Sequence, residues 1–249
     1  MEESLSDASG APGDAPGRRA GGDAHADRAG AVGPGGRTAG SANVYVDGFN
    51  LYYGCLRGTE YQWLDIGALC RRLLPANPIN HIRYFTSRVA ARPDAPNRPE
   101  QQNAYLRALS TVPGLSIHLG HFQSKETRLP AAAPGPEDPR IVEVIKTQEK
   151  GSDVNLATFL LLDAFRQKSD IAVVISNDSD LREPIRVLIQ ELGVPVGLVN
   201  PHPVKERSRD LLGLNPLFFK QVQPRALRAC QFPPVLRDAQ GEIRRPDGW

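Results

Sequence analysis

The segment "IAVVIS", residues 171–176, is apolar at every position before its closing serine, so a strand made from it turns apolar side chains to both faces. Such a strand is stable only inside a sheet covered on both sides, the usual setting of parallel sheets flanked by helices. Directly after it stand Asp178 and Asp180, two acids one residue apart at the end of a buried strand. An earlier apolar run, Val44 to Val46, stops in the same way at Asp47 and Gly48. Doubly wound sheets place their sites at the carboxyl ends of strands, so both pairings of apolar run and acid mark candidate site positions.

Between these two runs the chain alternates. Further strands are expected at 81–87 ("HIRYFTS"), 115–122 ("LSIHLGHF") and 195–200 ("PVGLVN"). A helix is expected after the Pro-rich loop that follows residue 87, with Asn97 or its neighbour as cap and Pro99 in the first turn. The segment 152–165 carries a second helix, with Ser152 placed to cap it and Val154, Ala157, Leu161, Ala164 and Phe165 recurring at three- and four-residue spacing. A third spans 181–192. The Pro-rich stretch 126–139 reads as an exposed excursion. Strands separated by helix-length segments give an α/β fold with a mostly parallel sheet.

Composition bounds the function classes. Residues 1–41 are almost wholly Gly, Ala, Pro and small or charged residues, too poor in apolar area to offset the entropy of ordering, and are expected to be a disordered tail. That tail carries four Arg against six acids, so of the chain's 30 basic and 28 acidic side chains the remainder keeps 26 and 22, a balance that permits a nucleic-acid partner without requiring one. The three cysteines, Cys55, Cys70 and Cys230, are far apart and suit neither a disulfide framework nor a zinc site. No secretory leader or membrane span is read, and a cytoplasmic location is expected.

Asp47, Asp178 and Asp180 would converge if their strands are neighbours, and Asp153, in the first turn of its helix, can reach the same edge. Unpaired, four acids would repel one another, so a cluster of this kind is tolerable mainly around a divalent cation; hard oxygen ligands without His or Cys point to Mg²⁺ or Mn²⁺. Bland readings stand beside this one. Asp180 followed by Glu183 also fits a capping box, and Asp153 also fits an ordinary first-turn acid. Asn50 either caps the helix after Asp47 or orients a group at the metal; Ser176 and Asn177 close a strand or support the site; Lys150 contacts substrate phosphate or is simply solvated. His118 and His121 read as structural. Asp163, about 15 Å beyond Asp153 along the helix, is outside the cluster.

Taken together, "VYVDGFNLYY", "KGSDVNLATFLLLDAF" and "VVISNDSDLREPI" resemble the NYN domain family, relatives of the PIN-type ribonucleases. The resemblance runs from about Asn43 to Pro201. It implies a PIN-like three-layer α/β/α sandwich with a central mostly parallel sheet, over residues 42–225, and a metal-dependent nuclease site. The family's acids fall on Asp47, Asp153, Asp178 and Asp180, with Asn50 as polar companion. Residues 226–249 resemble the ending of bacterial members, expected to pack on the domain through Phe232, Leu236 and Trp249. The expected activity is hydrolysis of RNA phosphodiesters, with Asp47, Asp153 and Asp178 as catalytic ligands of Mg²⁺ or Mn²⁺, Asp180 sharing the metal, and Asn50, Lys150, Ser176 and Asn177 on the substrate side. Single-stranded RNA is the expected partner, and a homodimer stays open. The rival is a catalytically silent RNA-binding NYN module, with Arg83, Arg88, Arg92, Arg98, Lys125 and Arg128 on phosphates and Tyr52, Tyr53 and Trp63 on bases. A phosphatase or phosphotransferase comes third, since the first strand lacks a D-x-D pair.

Overall fold

The computed structural model describes residues 40–249 apart from Arg92, Asp94 and Pro136. The expected tail therefore lies, up to residue 39, outside the described residues, as does Arg92.

Seven strands form one sheet. In chain order they are β1 (Ala42–Asp47), β2 (Ile79–Ser87), β3 (Leu115–Pro130), β4 (Ile141–Lys150), β5 (Ile171–Ile175), β6 (Val196–Asn200) and β7 (Phe218–Gln221). Their spatial order is β4-β3-β2-β1-β5-β6-β7. All pairs are parallel except β3 with β4. The winding reverses between β1 and β5: from β1 the chain moves outward to β2, and from β5 it moves outward the other way to β6. Crevices at such switch points open at the strands' carboxyl ends.

Helices cover both faces. The two central strands are buried throughout because their alternate residues enter different cores. Val44, Val46, Val173 and Ile175 pack with α2 (Ile66–Leu73) and α3 (Arg98–Ser110). Tyr45, Ala172 and Val174 pack with α4 (Ser152–Phe165) and α5 (Arg182–Gln190). This is the PIN-like α/β/α sandwich with a mostly parallel sheet.

Three details differ from the sequence reading. The stripe expected on α4 is only in part its core face: Leu161 and Ala164 pack partly buried against the core, but Val154 and Phe165 are exposed, and the fully buried positions are Leu156, Leu160 and Asp163. The run "FLLLDAF" is apolar on every side, so its periodicity cannot choose a face. Asp163 chooses it, accepting bidentate hydrogen bonds from Arg83 of β2 at 2.7 and 2.9 Å and one from the Tyr45 hydroxyl at 3.0 Å. Ser152 does not cap α4; Gly151 precedes the helix at φ 95°, a left-handed conformation that glycine adopts freely. The stretch from 126 is an excursion only after Pro130, because β3 runs on to pair with β4.

The last residues close over the α2–α3 face. Phe232 donates its backbone N–H to the Trp63 carbonyl at 2.9 Å, and the Trp63 indole donates to the Pro233 carbonyl at 2.9 Å. Trp249 stacks edge-on against Trp63, and Leu236 sits on the same core. A hairpin, β8 (Val235–Asp238) with β9 (Gly241–Arg244), is held to α3 by a bidentate Arg107–Asp238 pair. Trp63 is thus fully buried, and cannot stack on a base.

Candidate metal centre

The switch point brings three carboxylates together. Asp47, Asp153 and Asp178 each present an oxygen within 4.8 Å of the others. Each reaches this spot by a local rule. Asp47 ends β1 and caps the short helix α1 (Gly48–Leu51), accepting the Asn50 N–H at 2.9 Å. Asp178 follows β5 and caps a 3-10 turn, Ser179–Leu181, accepting the Asp180 N–H at 3.0 Å. Asp153 stands in the first turn of α4, where the helix dipole favours an anion.

The caps occupy only part of each carboxylate. Asp47 is buried, and its second oxygen accepts from the Ser176 hydroxyl at 3.0 Å; the same hydroxyl accepts the Asp178 N–H at 3.1 Å. Ser176 thereby locks the two strand ends together. Asn50 does likewise from the other side, its side-chain carbonyl accepting the Asn177 N–H at 2.8 Å. The Asn177 side chain in turn binds the Glu206 carbonyl and the Ser208 N–H. So Asn50, Ser176 and Asn177 act on backbone and on Asp47, and Asp178 rather than Asp180 caps the turn before α5.

Electrostatically the cluster is unbalanced. No Lys, Arg or His forms an ion pair with these three acids among the described residues. Burial, and then the charges of Asp153 and Asp178, push the Asp47 carboxyl up to about 6 despite the hydrogen bonds from Asn50 and Ser176. Burial also raises Asp153, helped by the charges of Asp178, Glu149 and Asp180. Asp180 is exposed and outside the three-oxygen set; it contributes field rather than a shared oxygen. Hard anionic oxygens converging without a protein cation fit a divalent metal ion.

A cavity of about 350 Å³ opens over the cluster, with Phe49, Tyr53, Phe122 and His202 among its lining residues. Tyr53 belongs to a π-helical turn, Tyr52–Leu56, and is exposed beside the cavity. Glu149 is the site residue that sequence reasoning missed. Its carboxylate accepts from the Ser87 hydroxyl at 2.6 Å, the Ser152 hydroxyl at 2.7 Å and the Ser152 N–H at 3.2 Å. These bonds tie β2, β4 and α4 together at the cavity wall. The only sequence signal is Gly120, where a Cβ would stand 2.4 Å from Glu149 Oε1 and 2.5 Å from the Lys150 carbonyl. Lys150 is exposed on the face of β4 opposite Glu149, away from the cavity.

A mostly parallel α/β/α sheet with acids gathered at its switch point is the architecture of PIN-like nuclease folds. The chain belongs to the NYN domain family, whose model matches residues 41–211. It is 30% identical over 234 residues to the 6-hydroxy-3-succinoylpyridine 3-monooxygenase HspA of Pseudomonas putida, spanning 83% of this chain and 74% of that one. A crystal structure of a protein of unknown function from Vibrio parahaemolyticus overlays with a TM-score of 0.47 at 14% identity, covering 74% of this chain and 93% of the other. Among the described residues no helix is long and apolar enough to cross a membrane.

Proposed function

We propose that this chain is a metal-dependent ribonuclease in which Asp47, Asp153 and Asp178 hold Mg²⁺ or Mn²⁺. The observation that carries the reading is the convergence of the three carboxylate oxygens to within 4.8 Å beside a solvent-open cavity, with no protein cation paired to them among the described residues. A bound ion supplies positive charge to an attacked phosphate and acidifies a water at neutral pH. Ser176 and Asn50 fix the ligand positions, Asp180 adds negative field that favours the ion, and Phe49, Tyr53 and Phe122 offer surfaces for bases. End-labelled single-stranded RNA and DNA, incubated with Mn²⁺, Mg²⁺ or EDTA, test it. Metal-dependent RNA products that vanish in Asp178→Asn are expected; salt-sensitive RNA binding without products would leave the silent binding module instead.

A second reading rests on the Pseudomonas relative, which bears the name of a pyridine monooxygenase. The cavity of about 350 Å³ with its three aromatic side chains is of a size for a single-ring aromatic acid. Such a hydroxylation consumes O₂ and a two-electron reductant. Consumption of O₂ and of a supplied two-electron reductant that depends on added 6-hydroxy-3-succinoylpyridine, with RNA left intact, would select this reading over the first.

A further inference from the structure

Beyond residue 120, β3 and β4 leave the sheet as a two-stranded arm: residues 121–130 pair only with residues 141–150, and β4 is the outermost strand. The pleat sorts the arm's side chains onto two faces. One face begins with Phe122 opposite Glu149, both on the cavity wall. It continues through Ser124 and Thr147, whose hydroxyls are 2.8 Å apart, to Arg128 opposite Glu143.

The other face is different in charge. His121 stands opposite Lys150 and Lys125 opposite Lys146, with Gln123 opposite Gln148 between them. The three lysines and His121 are exposed, and none forms an ion pair among the described residues. Like charges directly opposite each other weaken an antiparallel pair. Opposite signs are matched on the first face, at Arg128 and Glu143, but not on this one. Arg88, the exposed residue just after β2, lies on the same side: its guanidinium reaches Asn103 of α3 at 2.5 Å, on the sheet face toward which Leu115 and Ile117 of β3 pack and to which the odd-numbered His121 and Lys125 belong.

We infer that this face of the arm, Lys125, Lys146 and Lys150 with Arg88 at its base, is a docking strip for the phosphate backbone of a nucleic-acid strand. Delivery of that strand to the cavity at the arm's base rests on the ribonuclease reading; the binding itself does not. A polyanion supplies the counter-charge that this face of the arm lacks, and releases its own counterions on docking. Arg83 and Arg128 do not contribute: the first is held by Asp163 and the second lies on the other face.

The test uses the full chain as Asp178→Asn in EDTA, with a fluorescein-labelled single-stranded RNA 20-mer titrated at several KCl concentrations. The further double substitution Lys125→Gln, Lys146→Gln is expected to weaken binding about tenfold or more and to make the plot of log K against log salt shallower by about 1.4, because two fewer phosphates of a single strand are neutralised. Its Tm should stay level or rise, because opposed like charges are removed. Unchanged affinity and slope overturn the strip, as does binding to phosphatidylserine vesicles with none to the 20-mer. If wild-type chain never cuts RNA yet the double substitution weakens binding, the strip stands and the ribonuclease reading falls. Metal-dependent cutting with binding unaltered by the substitutions overturns the strip and leaves the ribonuclease reading standing.

Discussion

Asn50 Oδ1 accepts the backbone N–H of Asn177 at 2.8 Å, joining the segment after β1 to the segment after β5. Asp47 and Asp178 flank this link in sequence, so the distance between two ligand positions depends on a residue that need not touch a metal. Asn50→Ala should cost about 1 kcal/mol of stability, from the unpaired N–H. It should weaken Mn²⁺ binding and turnover by about 10–100-fold, the usual penalty for losing a group that orients ligands. Isothermal titration with Mn²⁺ beside a melting curve reads both; a variant with intact metal affinity removes the link's assigned role.

Stability of the metal-free protein should fall as pH rises from about 4 to 6. Asp47 titrates near 6 in the folded chain against 3.8 for an unperturbed carboxyl, so within this window the folded state holds a proton that the unfolded state has released. The stabilisation is full below about 4 and lost above about 6, an amount on the order of 3 kcal/mol. Urea midpoints of wild type and Asp47→Asn, measured across this range in EDTA, should diverge, with the variant's profile flatter. Added Mn²⁺ should restore stability most strongly above pH 6, where the ion no longer competes with that proton.

Gly120→Ala should misplace the cavity wall. The new methyl would meet Glu149 Oε1 at 2.4 Å, the Lys150 carbonyl at 2.5 Å and Ser87 Oγ at 2.7 Å, and the carbonyl cannot move without shifting β4. A loss of about 1–3 kcal/mol is expected, as for overpacking elsewhere. Because Glu149 holds Ser152 beside Asp153, metal affinity should fall with it. A variant as stable as wild type would show that β4 yields freely at this point.

Arg83→Met should be among the most damaging single changes outside the site. It leaves Asp163, whose side chain is 4% exposed, as an uncompensated buried charge. Breaking such a pair costs about 3–5 kcal/mol, while replacing both partners by apolar residues is often tolerated. The double variant Arg83→Met, Asp163→Leu should therefore melt well above the single one. Equal Tm values for the two would contradict the pair's burial.

Much of the fold follows from side-chain pattern alone. "NVYV" and "IAVVIS" have apolar residues on both faces, and only the interior of a covered parallel sheet accepts them, so the central strands and the acids at their ends were legible. The arm was not: β4 is largely exposed on both faces, so no burial pattern marks "IVEVIKTQEK" as a strand. Nor was Glu149, an acid among many until Gly120 and Ser87 are brought against it by the β2–β3–β4 pairing.

Local pattern was enough to say which residues end the buried strands and that those residues are acids, because burial and turn chemistry act within a few positions of the chain. Everything that depends on distance waited for the packed fold. Packing made β1 and β5 neighbours, gave Asp178 rather than Asp180 the converging oxygen, turned α4 on the Arg83–Asp163 pair, and left the lysines of the arm on a face with no counter-charge. Contacts between residues 47 and 178, or 83 and 163, are set by the packing of whole elements, and no local pattern encodes them.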